Sequence, residues 1–335
     1  MRKKYSVYAK LIITITCLTI FQSVSAKAIY PFYFSNQNPF IQIFALPRSE
    51  PASLLRNNRF EQITALDIVN NTVEGKDADE NLVLDGETYR LNAAIKWSLS
   101  DTEYTLQLPF ICHSSGRFDN FIRSWHHFFG LSNDEQKQFG PNHLSYYYVN
   151  NGRQLVDIAN DVSGIGDLQF SMARYLSGTS ARNSRQTVVR ATLKLPTGDA
   201  DKLMGSGAPD VSFTMAVQDA TLLSQYHMGV YGQIGVLWLG ASDLFYDIQR
   251  HTVAYGTAGF TWHYWNMVLL RSQLDLHSPF YNSDIVHIGG DSVQLTVGGT
   301  LVFSHRHRMD IGVTENLFTD ATPDIGLNLT FRSLF

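Results

Sequence analysis

The chain is poor in cysteine and in charge, and both shortages restrict what it can be. It has 335 residues but only two cysteines, Cys17 and Cys112. Cys17 lies in an N-terminal segment that we expect to be removed, so Cys112 remains alone and no intramolecular disulfide can form. Charged residues make up 17% of the chain, below the roughly 25% of soluble domains. Stability must therefore come from backbone ladders and packing.

Long apolar runs and dense basic runs are also missing. After the N-terminal segment, no stretch approaches the roughly 20 apolar residues that a membrane helix needs. The net charge of -4 is small, and no Lys/Arg run accompanies an aromatic-rich face, which excludes nucleic acid as a partner. The glycine-containing stretch from Thr197 to Gly207 lacks the Gly-Lys-Ser/Thr of a phosphate loop. No nucleotide or other cofactor is predicted.

Metal binding and catalysis have little support in the sequence. His113, His126, His127 and His143 share one predicted loop with Cys112, but their spacing matches no zinc pattern. Solvated histidines are the simpler interpretation, and no metal site is predicted. No serine stands in a nucleophile-elbow context. We therefore predict that the protein is not an enzyme and has no catalytic residues.

The first residues have the pattern of a secretory signal. Arg2, Lys3 and Lys4 precede an apolar stretch from Leu11 to Phe21, and Val24-Ser25-Ala26 offers a cleavage site. The residue before Cys17 is Thr16, which argues against a lipid anchor. We predict a signal peptide over residues 1–26 and a mature domain over 27–335.

What the mature chain does contain is alternation of period two. In the last twelve residues, DIGLNLTFRSLF, apolar residues alternate with polar ones up to the terminal aromatic Phe335. From Tyr89 to Leu99 charge again appears on one face only. Such strands suit a lipid-facing exterior and a polar interior. About twelve of them are predicted, near residues 59–70, 87–99, 102–111, 166–176, 186–195, 210–221, 226–239, 252–262, 267–277, 293–304, 308–315 and 324–335.

The connections between these strands separate into two groups. With the C-terminus at the periplasmic side, the connections on that side are mostly short and those on the other side are mostly long, as expected of an outer-membrane barrel. The latter include Asn71 to Gly86 and, longest of all, Cys112 to Ile165. The fold class predicted is an all-β, transmembrane antiparallel β-barrel of about twelve strands.

The longest loop contains aromatic residues at helical spacing, which predicts a short amphipathic helix. Trp125, His126, Phe128 and Phe129 lie within it and are candidates for a gate at the barrel mouth. The alternatives are a helix on the outer leaflet or a loop packed on itself. Tyr146 to Tyr148, followed by Asn150-Asn151-Gly152, predict a hairpin in the same loop.

The interior-facing positions are charged with both signs. The basic ones, proposed as a solute path, are Arg90, Lys96, Arg190, Lys194, Arg271 and Arg332, and the acidic ones are Glu103, Asp167, Asp275 and Asp310. One interpretation is a water-filled path that attracts anionic or polar solutes. The other is a salt-bridge network that fills a narrow barrel, because buried charges demand partners.

Several segments resemble an uncharacterised family of proteobacterial envelope proteins, domain of unknown function 3187, which is distantly similar to outer-membrane transporters of aromatic-degradation operons. The resemblance is carried by Asn38-Pro39-Phe40 with Leu46-Pro47, LDGETYR at Leu84 to Arg90, Trp125-His126 through Leu131, Gly164 to Asp167, KLPTGD at Lys194 to Asp199, Gly205-Ser206-Gly207 with Asp210, and Pro323-Asp324. It implies a barrel of unassigned activity.

Taken together, the sequence predicts an outer-membrane channel or transporter for small polar or anionic solutes. The alternatives are an outer-membrane enzyme acting on lipid or lipopolysaccharide and a plugged structural barrel. The expected partners are outer-membrane lipid and lipopolysaccharide, the barrel-assembly machinery acting through the Phe335 strand, and an unassigned small solute.

Overall fold

The computed structural model describes residues 29–116, 143–178, 185–265, 267–316, 321–323 and 325–335. The predicted signal peptide and the candidate gating residues Trp125, His126, Phe128 and Phe129 lie outside these ranges, as does the predicted helix around them. No helix within the described ranges is long and apolar enough to cross a membrane.

The described residues form fifteen strands, one α-helical turn and two 3-10 turns. The strands are β1 (Phe60–Lys76), β2 (Glu80–Leu99), β3 (Thr102–Ser114), β4 (Ser145–Asn150), β5 (Arg153–Ile158), β6 (Val162–Ile165), β7 (Leu168–Ser177), β8 (Arg185–Leu195), β9 (Asp210–Leu223), β10 (Met228–Trp238), β11 (Thr252–Trp265), β12 (Val268–His277), β13 (Ser292–Val302), β14 (His307–Asn316) and β15 (Ile325–Leu334). The helical turn is α1 (Val286–Gly289), and the 3-10 turns are Ala200–Lys202 and Ser224–Tyr226.

Twelve of these strands close into an antiparallel barrel. Each of β7 to β14 pairs with the next strand in the chain, and β15 pairs with β1. The pairs β1–β2, β2–β3 and β3–β7 complete the ring. Because closure leaves no free edge, every backbone group of the wall can find a partner inside a membrane. The prediction of an outer-membrane-type barrel of about twelve strands is confirmed.

The other three strands lie at the extracellular end, next to the longest loop. The predicted hairpin is present: β4 and β5 pair across Asn151 and Gly152. Its strand β4 pairs with Glu80 to Asp85 of β2, while β6 pairs with Phe110 to His113 of β3. At the extracellular end, β4 therefore takes the place of β3 beside β2.

The prediction of a loop from Asn71 to Gly86 is wrong, because β1 and β2 continue their pairing to Lys76 and Asn81. Two contacts support the extension. The hairpin strand β4 covers the edge of β2, and Val73, Leu82 and Leu84 are buried in an apolar cluster at the extracellular end. Both contacts join residues distant in sequence, so local alternation does not show them.

The two faces of the wall differ sharply in polarity. On β2, Leu91 and Ile95 are 45% and 52% exposed, whereas Asn92 and Lys96 on the opposite face are 0% and 1% exposed. The same contrast runs around the barrel, with leucine, valine, isoleucine and phenylalanine outside. A continuous apolar exterior on a closed ladder belongs in a bilayer.

Interior glycines of strands β10 and β11 make room for tyrosine rings. A Cβ on Gly235 would lie 2.3 Å from Cζ of Tyr255, and a Cβ on Gly259 would lie 2.5 Å from Cζ of Tyr231. The rings thus lie flat over the glycines of the neighbouring strand. Small residues at these positions indicate a packing constraint rather than a loop.

A charge on the lipid face should destabilise the barrel according to depth. Met215 lies near the middle of β9 and faces outward, and Leu222 faces outward at its periplasmic end. We expect Met215→Arg to lower the free energy of unfolding by about 2–4 kcal/mol and Leu222→Arg by about 0–1 kcal/mol. Denaturant titration of the protein in lipid vesicles measures both, and equal costs would contradict the assigned depth.

Candidate functional site

The lumen is occupied by the N-terminal part of the described chain, residues 29–57, which we term the lumenal strap. Its first limb rises from the periplasmic end, where a Cβ on Gly229 would lie 2.5 Å from Ile29. It turns at residues 38–44 among the extracellular loops and returns to β1. A hydrogen bond from the Ser49 amide to the Phe34 carbonyl, 3.3 Å, links the two limbs.

The strap is not one of the strands of the described sheet. Its backbone amides instead donate hydrogen bonds to side chains of the wall. The amide nitrogens of Phe32, Ala45 and Leu55 donate to Gln273 Oε1, Asp210 Oδ2 and Glu103 Oε2, at 2.8, 3.0 and 2.9 Å. Similarly, the Ala52 amide donates to Gln218 and the Leu54 amide to the Tyr175 hydroxyl. Buried backbone groups require partners, and the polar lumen supplies them.

All six basic residues predicted to face the lumen do so, and all six contact the strap. Three of them donate to strap carbonyls: Arg90 to Gln42 at 3.0 Å, Lys194 to Ile43 at 2.9 Å and Arg271 to Tyr30 at 2.7 Å. A strap carbonyl thus takes the place that water holds around an exposed cation.

Two more of the six, Lys96 and Arg190, share one strap carboxylate, Glu50. Lys96 forms an ion pair with Glu50, and Arg190 lies 3.7 Å from it. Both cations also contact Glu103 of the wall, at 3.4 and 3.2 Å. Two cations and two carboxylates therefore form a neutral belt across the lower lumen, which we term the charge belt.

Aromatic residues of the strap stack on cations. The guanidinium of Arg271 lies 4.1 Å from the ring centre of Phe32, and that of Arg308 lies 3.7 Å from Tyr30. The last of the six, Arg332, lies 5.1 Å over Tyr33, beside Arg48 of the strap itself. Desolvated cation–π contacts stabilise by about 2 kcal/mol. The aromatic run YPFYF at Tyr30 to Phe34, just after the predicted cleavage site, is the sequence signal that could have identified the strap.

Most lumen cations also have carboxylate partners. Arg48 pairs with Asp67, Arg271 with Asp310 at 2.6 Å, and Arg332 with Glu61 at 3.4 Å. The described lumen is thus filled and largely charge-balanced, which favours the salt-bridge network among the two interpretations. The role of the six cations as a solute path stays a prediction.

Three segments of the sequence resemblance and the strap turn meet at Lys194. Its ammonium lies 2.8 Å from Asp167 and 2.9 Å from Asp210, and it also donates to Ser206 and to the strap carbonyl of Ile43. These residues come from Gly164–Asp167, the KLPTGD segment, Gly205–Gly207 with Asp210, and the strap turn. We term this group the Lys194 clamp.

A glycine is required beside the clamp. A Cβ on Gly205 would lie 2.3 Å from Oδ1 of Asp167. That oxygen already accepts from the amides of Thr197 and Gly198, at 2.9 and 2.8 Å. The Gly205-Ser206-Gly207 segment therefore serves to hold a buried carboxylate against a lysine.

Above the clamp, aromatic rings close the extracellular end. Phe40 of the strap packs on Phe245, with ring centres 5.1 Å apart, and Phe44 stacks on Phe280 at 5.4 Å. The Tyr281 hydroxyl donates to the Phe40 carbonyl at 2.5 Å, and burial raises the pKa of this phenol well above its ordinary value. We term these rings the aromatic seal. The strap turn contributes two of them.

The loop histidines do not converge in the described part of the chain. His113 is buried and bonds to Thr88, while His143 contacts Asp85 at 3.1 Å. His126 and His127 lie outside the described residues.

The closed twelve-stranded wall, its apolar exterior and its strap-filled lumen define the class of the protein, an outer-membrane β-barrel occupied by its own N-terminal segment. The chain belongs to the family described as protein of unknown function, DUF3187, whose model matches residues 7–335. No match was found among curated proteins.

Among solved structures, the chain is similar to the COG4313 outer membrane channel from Pseudomonas putida F1. The two share 15% identity with a TM-score of 0.58, over 86% of this chain and 100% of that one. The CymD monoaromatic hydrocarbon channel (10% identity, TM-score 0.40, 94% of this chain and 97% of that one) and the NanC porin (5%, 0.43, 82% and 98%) are less similar. The first likeness concerns the fold, and the other two are too low to carry an argument.

Removing the lysine of the clamp should cost far more than removing an exposed one nearby. Lys194→Met leaves two buried carboxylates without their cation, so we expect it to lower the free energy of unfolding by about 3–5 kcal/mol. The control is Lys202→Met, because Lys202 is exposed and its pair with Asp199, 2.8 Å, is screened by solvent and should contribute little to stability. Denaturant titration compares the two, and similar losses would contradict the clamp.

Proposed function

We propose that the protein is an outer-membrane channel for small polar or anionic solutes, and that the lumenal strap is its gate. The observation that carries the proposal is that the strap fills the lumen without being part of the wall. The wall closes through β1 to β3 and β7 to β15, and none of these strands needs the strap for its ladder. The strap can therefore move while the barrel stays intact.

Withdrawal of the strap breaks a different set of contacts in each part of the lumen. At the extracellular end it removes Phe40 and Phe44 from the aromatic seal. Along the lumen it frees Lys194, Arg90 and Arg271 from strap carbonyls. A continuous polar path through the barrel follows from one movement.

The anionic part of the proposal is supported by the charge belt. When Glu50 leaves with the strap, Lys96 and Arg190 retain only Glu103 between them. Two cations against one carboxylate make this level locally positive. Rings of basic side chains favour anions in pores.

A second candidate, a permanently plugged structural barrel, is favoured by the ion pairs and by the aromatic seal. The two candidates differ in whether the strap ever leaves the lumen.

Several sequence predictions stay predictions under both candidates. They are the signal peptide, the gating role of Trp125, His126, Phe128 and Phe129, contact with lipopolysaccharide, and recognition of the Phe335 strand by the assembly machinery.

A disulfide that locks the strap to the wall should abolish conductance. The hydroxyl oxygens of Ser49 and Thr257 are 2.8 Å apart, so cysteines at both positions are close enough to bridge. In a Cys112→Ser background, we expect Ser49→Cys with Thr257→Cys to show no channel steps in a planar bilayer when oxidised, and steps after reduction.

Thr257→Cys alone in the same background is the control, since it cannot form the bridge. Its steps should not depend on redox state. Equal conductance of the bridged and the reduced pair would show that solute flow does not require the strap to move, and silence under both conditions would favour the plugged barrel.

Neutralising the strap carboxylate should loosen the gate and increase anion preference. Glu50→Gln leaves Lys96 and Arg190 short of one carboxylate even with the strap in place, so the strap binds less tightly. We expect more frequent openings and a reversal potential, under a potassium chloride gradient, shifted toward the chloride equilibrium potential. Asp199→Asn removes an exposed carboxylate outside the lumen and should change neither; an unchanged selectivity in Glu50→Gln would rule out the charge belt as a filter.

A further inference from the structure

A cavity of about 520 Å³ lies beneath the strap at the periplasmic end of the barrel. It is lined by Lys96 and Glu103 of the charge belt, by residues before β1 and by residues in the turn before β14. Pockets for small molecules have volumes of about 300–1,000 Å³. The cavity is large enough for a small organic solute.

The cavity lining has an excess of positive charge. Its lining includes five cationic side chains and two carboxylates, a formal excess of three positive charges. Both carboxylates are already engaged, Glu61 with Arg308 and Arg332, and Glu103 with Lys96 and Arg190.

The excess charge belongs to Arg56, Arg59 and Arg306. Within the described ranges none of these three forms an ion pair, and all three are exposed. The nearby Asp101 accepts a hydrogen bond from Asn57 instead. Three exposed arginines in one cavity lining, without carboxylate partners among the described residues, attract an anion from solution.

The cavity lining also has an apolar part. Ile29 and Tyr30 of the first strap limb face it, as do Leu54 and Leu55 of the second, with Leu334 from the wall. A fully hydrated inorganic anion gains nothing from this surface. A molecule with an apolar body and a single anionic group can bury its body there and keep the charge at the arginines.

We propose that this cavity, the periplasmic vestibule, binds small amphipathic carboxylates. The proposal deepens the proposed function, because it names the class of solute at one end of the path. It rests on that function only for the further step that a bound carboxylate is transported. Binding itself requires neither strap movement nor conductance.

The test is calorimetric titration of the mature chain in nanodiscs with three probes: hexanoate, hexylammonium and acetate. Hexanoate carries both required features, hexylammonium reverses the charge on the same body, and acetate lacks the body. We expect hexanoate to bind at least tenfold more tightly than either of the others. Equal binding of hexanoate and hexylammonium, as lipid partitioning alone would give, overturns the proposal, and so does equal binding of hexanoate and acetate.

Variants locate the site. We expect Arg59→Gln and Arg306→Gln each to weaken hexanoate binding severalfold, and Leu54→Ser to weaken hexanoate while leaving the weak acetate affinity unchanged. The matched control, Arg153→Gln, removes an arginine at the extracellular end and should have no effect. Unfolding midpoints verify that each variant is folded, and an affinity unchanged in both Arg59→Gln and Arg306→Gln overturns the assignment to the vestibule.

The two proposals can fail separately. Hexanoate binding in a protein that never conducts removes the channel and leaves the vestibule site standing. Conductance without hexanoate binding removes the vestibule site and leaves the channel.

Discussion

The structure depends on one electrostatic constraint: cations buried inside a narrow barrel must have partners. The lumen carries Lys96, Arg190, Lys194 and Arg332 almost wholly away from solvent. An unpaired charge in such a place costs several kcal/mol. Wall carboxylates satisfy part of this demand. The strap satisfies the rest with Glu50, with main-chain carbonyls and with aromatic rings, so the charge pattern of the wall and the path of the strap are two aspects of one arrangement.

This constraint also explains where three of the segments that carry the sequence resemblance come together. The segments Gly164–Asp167, KLPTGD and Gly205–Gly207 are separate in sequence and lie on the wall and an extracellular loop. In the fold they surround Lys194, which donates to the strap carbonyl of Ile43. Their common physical role is to hold the strap turn beneath the aromatic seal. A catalytic role is not needed to account for them.

Alternation predicted the wall well because lipid and lumen impose opposite polarity on neighbouring residues, as at Leu91 and Asn92. It failed where other contacts decide the structure. The extension of β1 and β2 depends on pairing with β4, which joins residues distant in sequence. The strap has no period at all, since its backbone bonds go to side chains such as Gln273 and Gln218. The six lumen cations were predicted from their strand faces, but their shared partner was not.

Hydrogen exchange tests most directly whether the strap is held in the lumen yet able to leave it. In the mature protein in nanodiscs, mass spectrometry can follow the amides of Phe32, Ala45 and Leu55, which donate to wall side chains, against those of β9 and β12. The account predicts that strap amides exchange together, well below the rate of a free peptide and at least tenfold faster than those of the wall strands. Exchange at the free-peptide rate would show that the strap does not occupy the lumen, and exchange as slow as the wall would show that it never leaves.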